Sequence, residues 1–418
     1  MLIKGQYSAD VGRANAKTLQ ALIDDTSKKG GGIVTIEDGF YAMAPIVLKD
    51  GVTLHLNKGV ILKFTKAKED YPLIVTNYEG ETAIRTVSPI SAEGASNIAI
   101  TGQGFIDGSG ELWRPIKQFK TTQRQWDALL KSGGHVIEAK DRAWLPTLSA
   151  YEGMIKNIQD TSEEGLKEAS EYWDFYRPVM VSLKHCKNVL LKDVTFTNSP
   201  AWCLHPFFCE NVEIDSINVK NPYYAQNGDG LDIESCKNVY VHDSIFETGD
   251  DAICLKAGKN AEARKIIGPC ENIHIANCTV YQGHGGFVVG SEMSRGVQNV
   301  YVHDCNFIGT DVGVRFKSAL GRGGIVQNVK IDNIKMVDIK KEAIILTMGY
   351  VLNRVNNDEE NVMESLEDIP YFKNISMTGM QFLGQKDKIK IEPIEGRPET
   401  ITNIVVNGIR YDGPTVVK

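Results

Sequence analysis

The sequence predicts an all-β solenoid, in its simplest form a parallel β-helix. Two observations carry this. First, one phrase recurs, as "CKNVLLKDVTF" from Cys186, "CENVEIDSINV" from Cys209, "CKNVYVHDSIF" from Cys236 and "CENIHIANCTV" from Cys270. Its shared Asn falls at 188, 211, 238, 272, 299 and 328, giving gaps of 23, 27, 34, 27 and 29 residues, a repeat with variable loops. Second, each copy runs from a turn-prone Asn into β-branched and aromatic residues at period two, the pattern of short strands. A unit this short cannot bury its own apolar face. Copies must therefore stack into a continuous core, about 4.8 Å apart, with equivalent positions forming ladders.

The elements follow in chain order. "NAKTLQALIDDTSKK" has helical periodicity and runs into "GGG", which predicts a capping helix followed by the first coils, a cap covering about residues 1–60. "ASNIAITGQGF" from Ala95 is an early copy of the repeat. From about Glu111 to Tyr176 the repeat vanishes, and that stretch holds Trp113, Trp126, Trp144 and Trp173, four of the five tryptophans. Within it "SEEGLKEASEYWDFY" reads as helix. An excursion of this length projects from a solenoid and often walls a binding site, its aromatics forming either a small core of their own or a ligand-stacking surface. The central copies follow, then weaker ones: "VQNVYVHDCNF", "VQNVKIDNIKM", "FKNISMTGMQF" and "ITNIVVNGIRY". The whole chain, 1–418, is expected to form one β-helix domain.

The ladder residues themselves need no chemistry. Cys186, Cys209, Cys236 and Cys270 occupy one repeat position and are expected as small apolar residues stacked inside the coil, not as metal ligands or disulfides. The Asn ladder is expected to stabilise turns by satisfying backbone groups of adjacent coils.

Bulk properties exclude several classes. With 418 residues, 42% hydrophobic and 24% charged, the chain is an ordinary globular protein. A net charge of -7 argues against a nucleic-acid binder. No apolar run of 18 or more residues offers a membrane span, and the opening residues have no apolar stretch of signal-peptide length. The chain is thus either cytoplasmic or a mature form of an exported protein. The eight cysteines include no CxxC pair.

Subtracting the repeat leaves unexplained polar residues on four consecutive coils: "NGDGLD" with Asn227 and Asp229, "GDD" with Asp250 and Asp251, "GHG" with His284, and "RFK" with Arg315 and Lys317. The intervals Asp229 to Asp250, Asp250 to His284 and His284 to Arg315 are 21, 34 and 31 residues, each about one coil, so the set can form a column on one face. Arg315 and Lys317 point the same way while Phe316 points into the core, making an anion clamp suited to a carboxylate. Glycines on both sides of His284 leave room for a bulky partner. Three crowded carboxylates raise the pKa of at least one, and an acid beside ionised bases is what glycosidic hydrolysis needs. A calcium site is the competing chemistry for such a cluster.

The column resembles the four motifs of glycoside hydrolase family 28, the polygalacturonases and their relatives: "NGD" is similar to Asn-Thr-Asp, "GDD" to Gly/Gln-Asp-Asp, "GHG" to Gly-His-Gly and "RFK" to Arg-Ile-Lys. Gly228 and Phe316 depart from that pattern without removing a functional group. The resemblance implies a right-handed parallel β-helix, Asp250 as general acid, Asp229 and Asp251 as the residues that activate water, and inversion at the anomeric carbon. It further implies that His284 tunes the acid and that Arg315 and Lys317, with Asn227, bind substrate.

The function expected is hydrolysis of α-galacturonosyl linkages in pectic polysaccharides, polygalacturonan or rhamnogalacturonan, with exo-action favoured because the aromatic insertion could close one end of the groove. A calcium-dependent pectate lyase and a non-catalytic pectin-binding solenoid are the alternatives. The expected partner is a pectic polymer or oligogalacturonide. No cofactor or metal is expected, a capped solenoid needs no second subunit, and polymeric substrate favours a secreted or periplasmic enzyme over a cytoplasmic one.

Overall fold

The computed structural model describes residues 1–139, 141–350, 365–384, 389–411 and 413–417. Three long sheets of 12, 10 and 11 strands wrap around one core, and successive coils contribute one strand to each. Strands Lys187–Lys192, Thr195–Thr197 and Leu204–Phe207, for example, form one coil and pair in parallel with Glu210–Asp215, Asn218–Lys220 and Leu231–Glu234 of the next. The fold is a right-handed parallel β-helix. At the C-terminal end two antiparallel strands, Ile409–Tyr411 and Thr415–Val417, pair with the last parallel strands, so the helix does not end on parallel edges.

In-register stacking builds the core. In the 10-stranded sheet Phe196, Val219, Phe246, Val280, Phe307 and Met336 follow one another coil by coil, all buried. The cysteines behave likewise: all eight are free and buried, and the Cys209 thiol donates to the Leu183 carbonyl at 3.3 Å.

The Asn positions mark the turn into the 12-stranded sheet. Asn97, Asn188, Asn211, Asn238 and Asn272 have φ of 54 to 57°, the left-handed region that Asn tolerates better than other side chains. From Asn188 onward each side-chain amide donates to the carbonyl of the Asn one coil before it, as in Asn211 to Asn188 at 3.0 Å and Asn238 to Asn211 at 3.1 Å, and the chain of bonds runs from Asn97 to Asn403. One residue type thus supplies both the bend and the link between coils.

The capping helix runs Ala9–Lys28, with Ser8 as N-cap and Gly30 and Gly31, both at positive φ, beyond its end. Its buried face carries Leu19 and Ile23, and buried Asn15 bonds the carbonyls of Ile3 and Ala42 at 2.9 and 3.0 Å.

The excursion leaves after strand Phe105–Asp107 and returns at Val181–Lys184. It contains helices Gln123–Lys131, Leu148–Lys156 and Glu163–Ala169, plus a three-stranded antiparallel sheet. Trp113, Trp126 and Trp144 are buried, and Trp113 packs edge-on against Trp173 and Tyr71 at 5.1 and 5.2 Å. Of the two sequence readings, burial favours the first for Trp113, Trp126 and Trp144, which are enclosed by the insertion and its neighbours and not displayed as a stacking surface. A second excursion has no counterpart in the sequence reading, the hairpin Leu73–Tyr78 with Glu81–Thr86. It reaches the 11-stranded sheet, where Tyr78 lies 4.4 Å from the Trp202 ring and the Gly80 carbonyl accepts from Lys259 N–H at 3.0 Å.

Candidate active site

The polar residues left over from the repeat gather on the 11-stranded sheet. Asp229 precedes strand Leu231–Glu234, Asp250 and Asp251 open Asp251–Lys256, His284 precedes Gly285–Gly290, and Arg315 and Lys317 end Val312–Lys317. Asp229, Asp250 and Asp251 each bring a carboxylate oxygen to within 4.8 Å of the others. The arrangement is a patch more than a straight column. Asp251 is in register with Gly285 and Val312, whereas Arg315 aligns with Val288, so the basic pair lies further along its strand and reaches back.

That reach ends on a carboxylate of the protein itself. Lys317 Nζ donates to Asp251 Oδ2 at 2.7 Å, and Arg315 Nη1 lies 3.8 Å from Asp251 Oδ1. Phe316, between them, is fully buried. Lys317 is buried too; burial would lower it, but Asp251 and Tyr350 outweigh this and hold its ammonium above the usual lysine range. Both cations lie over the Tyr350 ring, at 5.7 and 5.0 Å.

Asp250 is held differently. His284 Nδ1 lies 3.0 Å from its Oδ1, its carbonyl accepts from His284 N–H at 3.0 Å and from Thr248 Oγ1 at 2.8 Å, and Asp251 N–H donates to its Oδ1 at 3.0 Å. Burial would push this carboxyl up, but His284, Lys120 and Lys317 outweigh it and hold it well below the usual carboxylate range. Asp229 goes the other way: burial, then the charges of Asp232 and Asp250, push it well up, and its Oδ1 has no hydrogen-bond partner among the described residues. The two opposite shifts favour a proton on the Asp229 side of the cluster over one on Asp250.

The glycines around His284 serve packing. A Cβ on Gly283, at φ +92°, would sit 2.6 Å from the Asp250 carbonyl oxygen, and one on Gly285 would lie 3.3 Å from Asp251 Oδ1. They bring the chain close to the Asp250 backbone carbonyl and the Asp251 carboxylate, whereas the sequence reading had them leave room for a bulky partner. Asn227, at φ 52°, accepts from Arg177 Nη2 at 2.9 Å, and Arg177, pushed down to about 10 by its burial, also bonds the carbonyls of Pro200 and Gln226. Beside Asn227 a cavity of about 310 Å³ opens between the hairpin and the insertion, lined by Tyr78, Arg85, Lys117, Tyr176 and Arg177 among others.

Several charged neighbours escaped the sequence reading. Lys120, from the insertion, donates to the Gly249 carbonyl at 2.8 Å; burial pushes its ammonium down, and Asp250 is the first charge opposing that. No repeat exists there to place it. Asp232 and Lys256 lie inside the stretches "NGDGLD" and "FETGDDAICLK", and their outward strand positions, so near the carboxylates, were the available signal. Lys256 Nζ lies 3.5 Å from Asp232 and 3.3 Å from Glu292.

The carboxylate trio has a spacing that a hard cation could use, but two of its oxygens already face cationic or imidazole nitrogen at 2.7 and 3.0 Å. Such a set suits proton transfer better than ion coordination.

Comparison with known proteins places the chain in a family. The family model of glycosyl hydrolases family 28 matches residues 168–415, which includes all four motifs. The chain belongs to glycosyl hydrolase family 28. It is 28% identical to an exo-poly-alpha-D-galacturonosidase of Dickeya chrysanthemi over 83% of this chain, and spans 57% of that protein's length. It is 27% identical to an endo-polygalacturonase of Pectobacterium carotovorum over 81% of this chain and 73% of that protein. The exopolygalacturonase of Yersinia enterocolitica superimposes with a TM-score of 0.71 at 25% identity, covering 94% of this chain and 68% of that one. The hyperthermoactive exopolygalacturonase of Thermotoga maritima gives 0.65 at 25% identity, over 96% and 91%. This family-28 chain is thus a glycoside hydrolase, and no helix among its described residues is long and apolar enough to cross a membrane.

Proposed function

We propose that this family-28 hydrolase cleaves α-galacturonosyl linkages in pectic polysaccharides, polygalacturonan or rhamnogalacturonan, with inversion and from a chain end. The observation that carries the reading is the approach of three carboxylates to within 4.8 Å beside a basic pair on one sheet. Asp250 gives its proton to the leaving glycosidic oxygen. Asp229 and Asp251 orient the water and take the proton it loses as the C1–O bond forms. Arg315, with Lys317 behind it, receives the galacturonate carboxylate, and Asn227 lines the neighbouring sugar's position.

The resting charges add a step. Asp250 must gain a proton before it can act, and Asp229 must lose one. A galacturonate carboxylate near the cations, and a neutral His284, both weaken what holds Asp250 ionised. Three carboxylates within 4.8 Å lie closer than the ~6.5–9.5 Å usual for a simple inverting pair. Inversion therefore rests on family likeness, with Asp229 and Asp251 as the pair assigned to the water.

Exo-action is supported by the two excursions that flank the site, the hairpin seated on Trp202 and the insertion delivering Lys120, and by exo-acting enzymes among the relatives. Action on polymeric pectin implies export, and capped ends suit a monomer. The test is chromatography of products from polygalacturonate and from rhamnogalacturonan oligosaccharides. Saturated galacturonate from one of them is expected; an unsaturated product would replace the reading with a lyase.

A further inference from the structure

Asp232 is an unusual carboxylate. It is fully buried on strand Leu231–Glu234, neither of its oxygens has a hydrogen bond among the described residues, and Lys256 stands 3.5 Å away. Lys256 is itself buried, over the Trp202 ring at 4.6 Å, and is held between Asp232 and Glu292. A buried carboxyl with no hydrogen bond is costly to ionise, and burial, only partly offset by Lys256, pushes Asp232 well above the usual carboxylate range. Three positions earlier, at the entry to the same strand, stands Asp229, whose own buried Oδ1 is also without a partner among the described residues and whose carboxyl burial and then the charge of Asp232 push up.

We propose that Asp232 and Lys256 are positioning residues that set the charge on Asp229, Asp232 by competing with it for one proton and Lys256 by stabilising the negative charge that remains. The inference rests on the role given above to Asp229 as a base. In the competent form Asp232 carries the proton and Asp229 is ionised; in the resting form the order is reversed. No proton is created or lost in the exchange.

The groups facing this pair are few. Asp250, Asp251, Cys254 and Lys256 belong to the next coil, Cys203 and His205 to the preceding one, Glu292 and Tyr78 close it from the side, and Arg177 and Lys120, on the Asp229 side, are tied to the Asn227 side chain and to the Gly249 carbonyl. His205 is committed to Glu234 at 2.9 Å, and Glu292 is held down to about 2, burial being outweighed by Lys256, Lys317 and Arg322. Asp232 and Lys256 are therefore the adjustable members.

The test reads protonation without turnover. The infrared C=O band of protonated carboxylic acids is followed against pH in wild type, Asp229→Asn, Asp232→Asn and Lys256→Met. Asp232→Asn should make the remaining buried acid ionise about one pH unit lower, and Lys256→Met about one unit higher. Where the wild type hydrolyses polygalacturonate, the acid limb of its kcat/KM profile should move in the same two directions. Equal band titrations in wild type and the folded Asp232→Asn protein would overturn the proposal. Absence of turnover with the expected band shifts would instead fault the substrate reading and leave the proton exchange established.

Discussion

His284 Nδ1 stands 3.0 Å from Asp250 Oδ1, and the same two residues are joined through their backbones, His284 N–H to the Asp250 carbonyl, also at 3.0 Å. The imidazole is thus fixed to the proposed acid from two directions. Its positive form keeps Asp250 ionised, so the protonation of one opposes that of the other.

The pH dependence follows from the sign. Asp250 is held below its ordinary range by cations, so removing one lets it keep a proton to higher pH. In His284→Ala the basic limb of the kcat profile should move upward, while kcat at the optimum falls by about 10- to 100-fold as orientation is lost. A pH-rate profile checks this, and an unmoved limb would separate His284 from the acid.

Lys120 should act in the same sense from the opposite side. Lys120→Met removes the insertion's charge beside Asp250 and should also raise the basic limb, whereas Lys120→Arg should keep it near its wild-type position. Parallel profiles of the two variants distinguish a charge effect from a collapsed insertion, which would lower both rates without moving either limb.

Stereochemistry tests the division of roles among the carboxylates. If Asp229 and Asp251 hold water on the face opposite the leaving group, the first product formed from an α-linked substrate is the β-anomer. Proton NMR during the first minutes of reaction should show β-galacturonate preceding α. An α-anomer first would mean that one carboxylate attacks C1 itself.

The Asn ladder predicts a stability effect remote from the site. Asn238→Ala loses bonds to Asn211 and Asn272 and forces Ala into a left-handed conformation, costing about 1–3 kcal/mol. Asn238→Gly keeps the backbone and should cost less. Denaturant unfolding of the pair separates bend from bond, and equal losses would show that the conformation is unimportant.

Much of this was legible in the sequence because the repeat is local and regular. The Asn and Cys spacings register one coil on the next, so a residue left over from the pattern, such as Asp229 or His284, could be assigned to a face. Charge compensation was not legible. That Lys317 would pair with Asp251, or Arg177 with Asn227, depends on side-chain reach between coils, which spacing does not encode. Lys120 and the Leu73–Thr86 hairpin lie in segments without repeat, where only tertiary packing fixes position. The tryptophans of the insertion were ambiguous for the same reason, since exposure decides between core and platform, and three of the four are buried.

The central claim is that Asp250 is the general acid for cleavage of a galacturonosyl bond. It is tested most directly by product chromatography after incubating wild type and Asp250→Asn with polygalacturonate in the presence of EDTA. The account predicts saturated galacturonate from the wild type, and a rate lower by about 10²- to 10⁴-fold in the variant. Product released equally by both proteins, or formed only with added calcium, would contradict it.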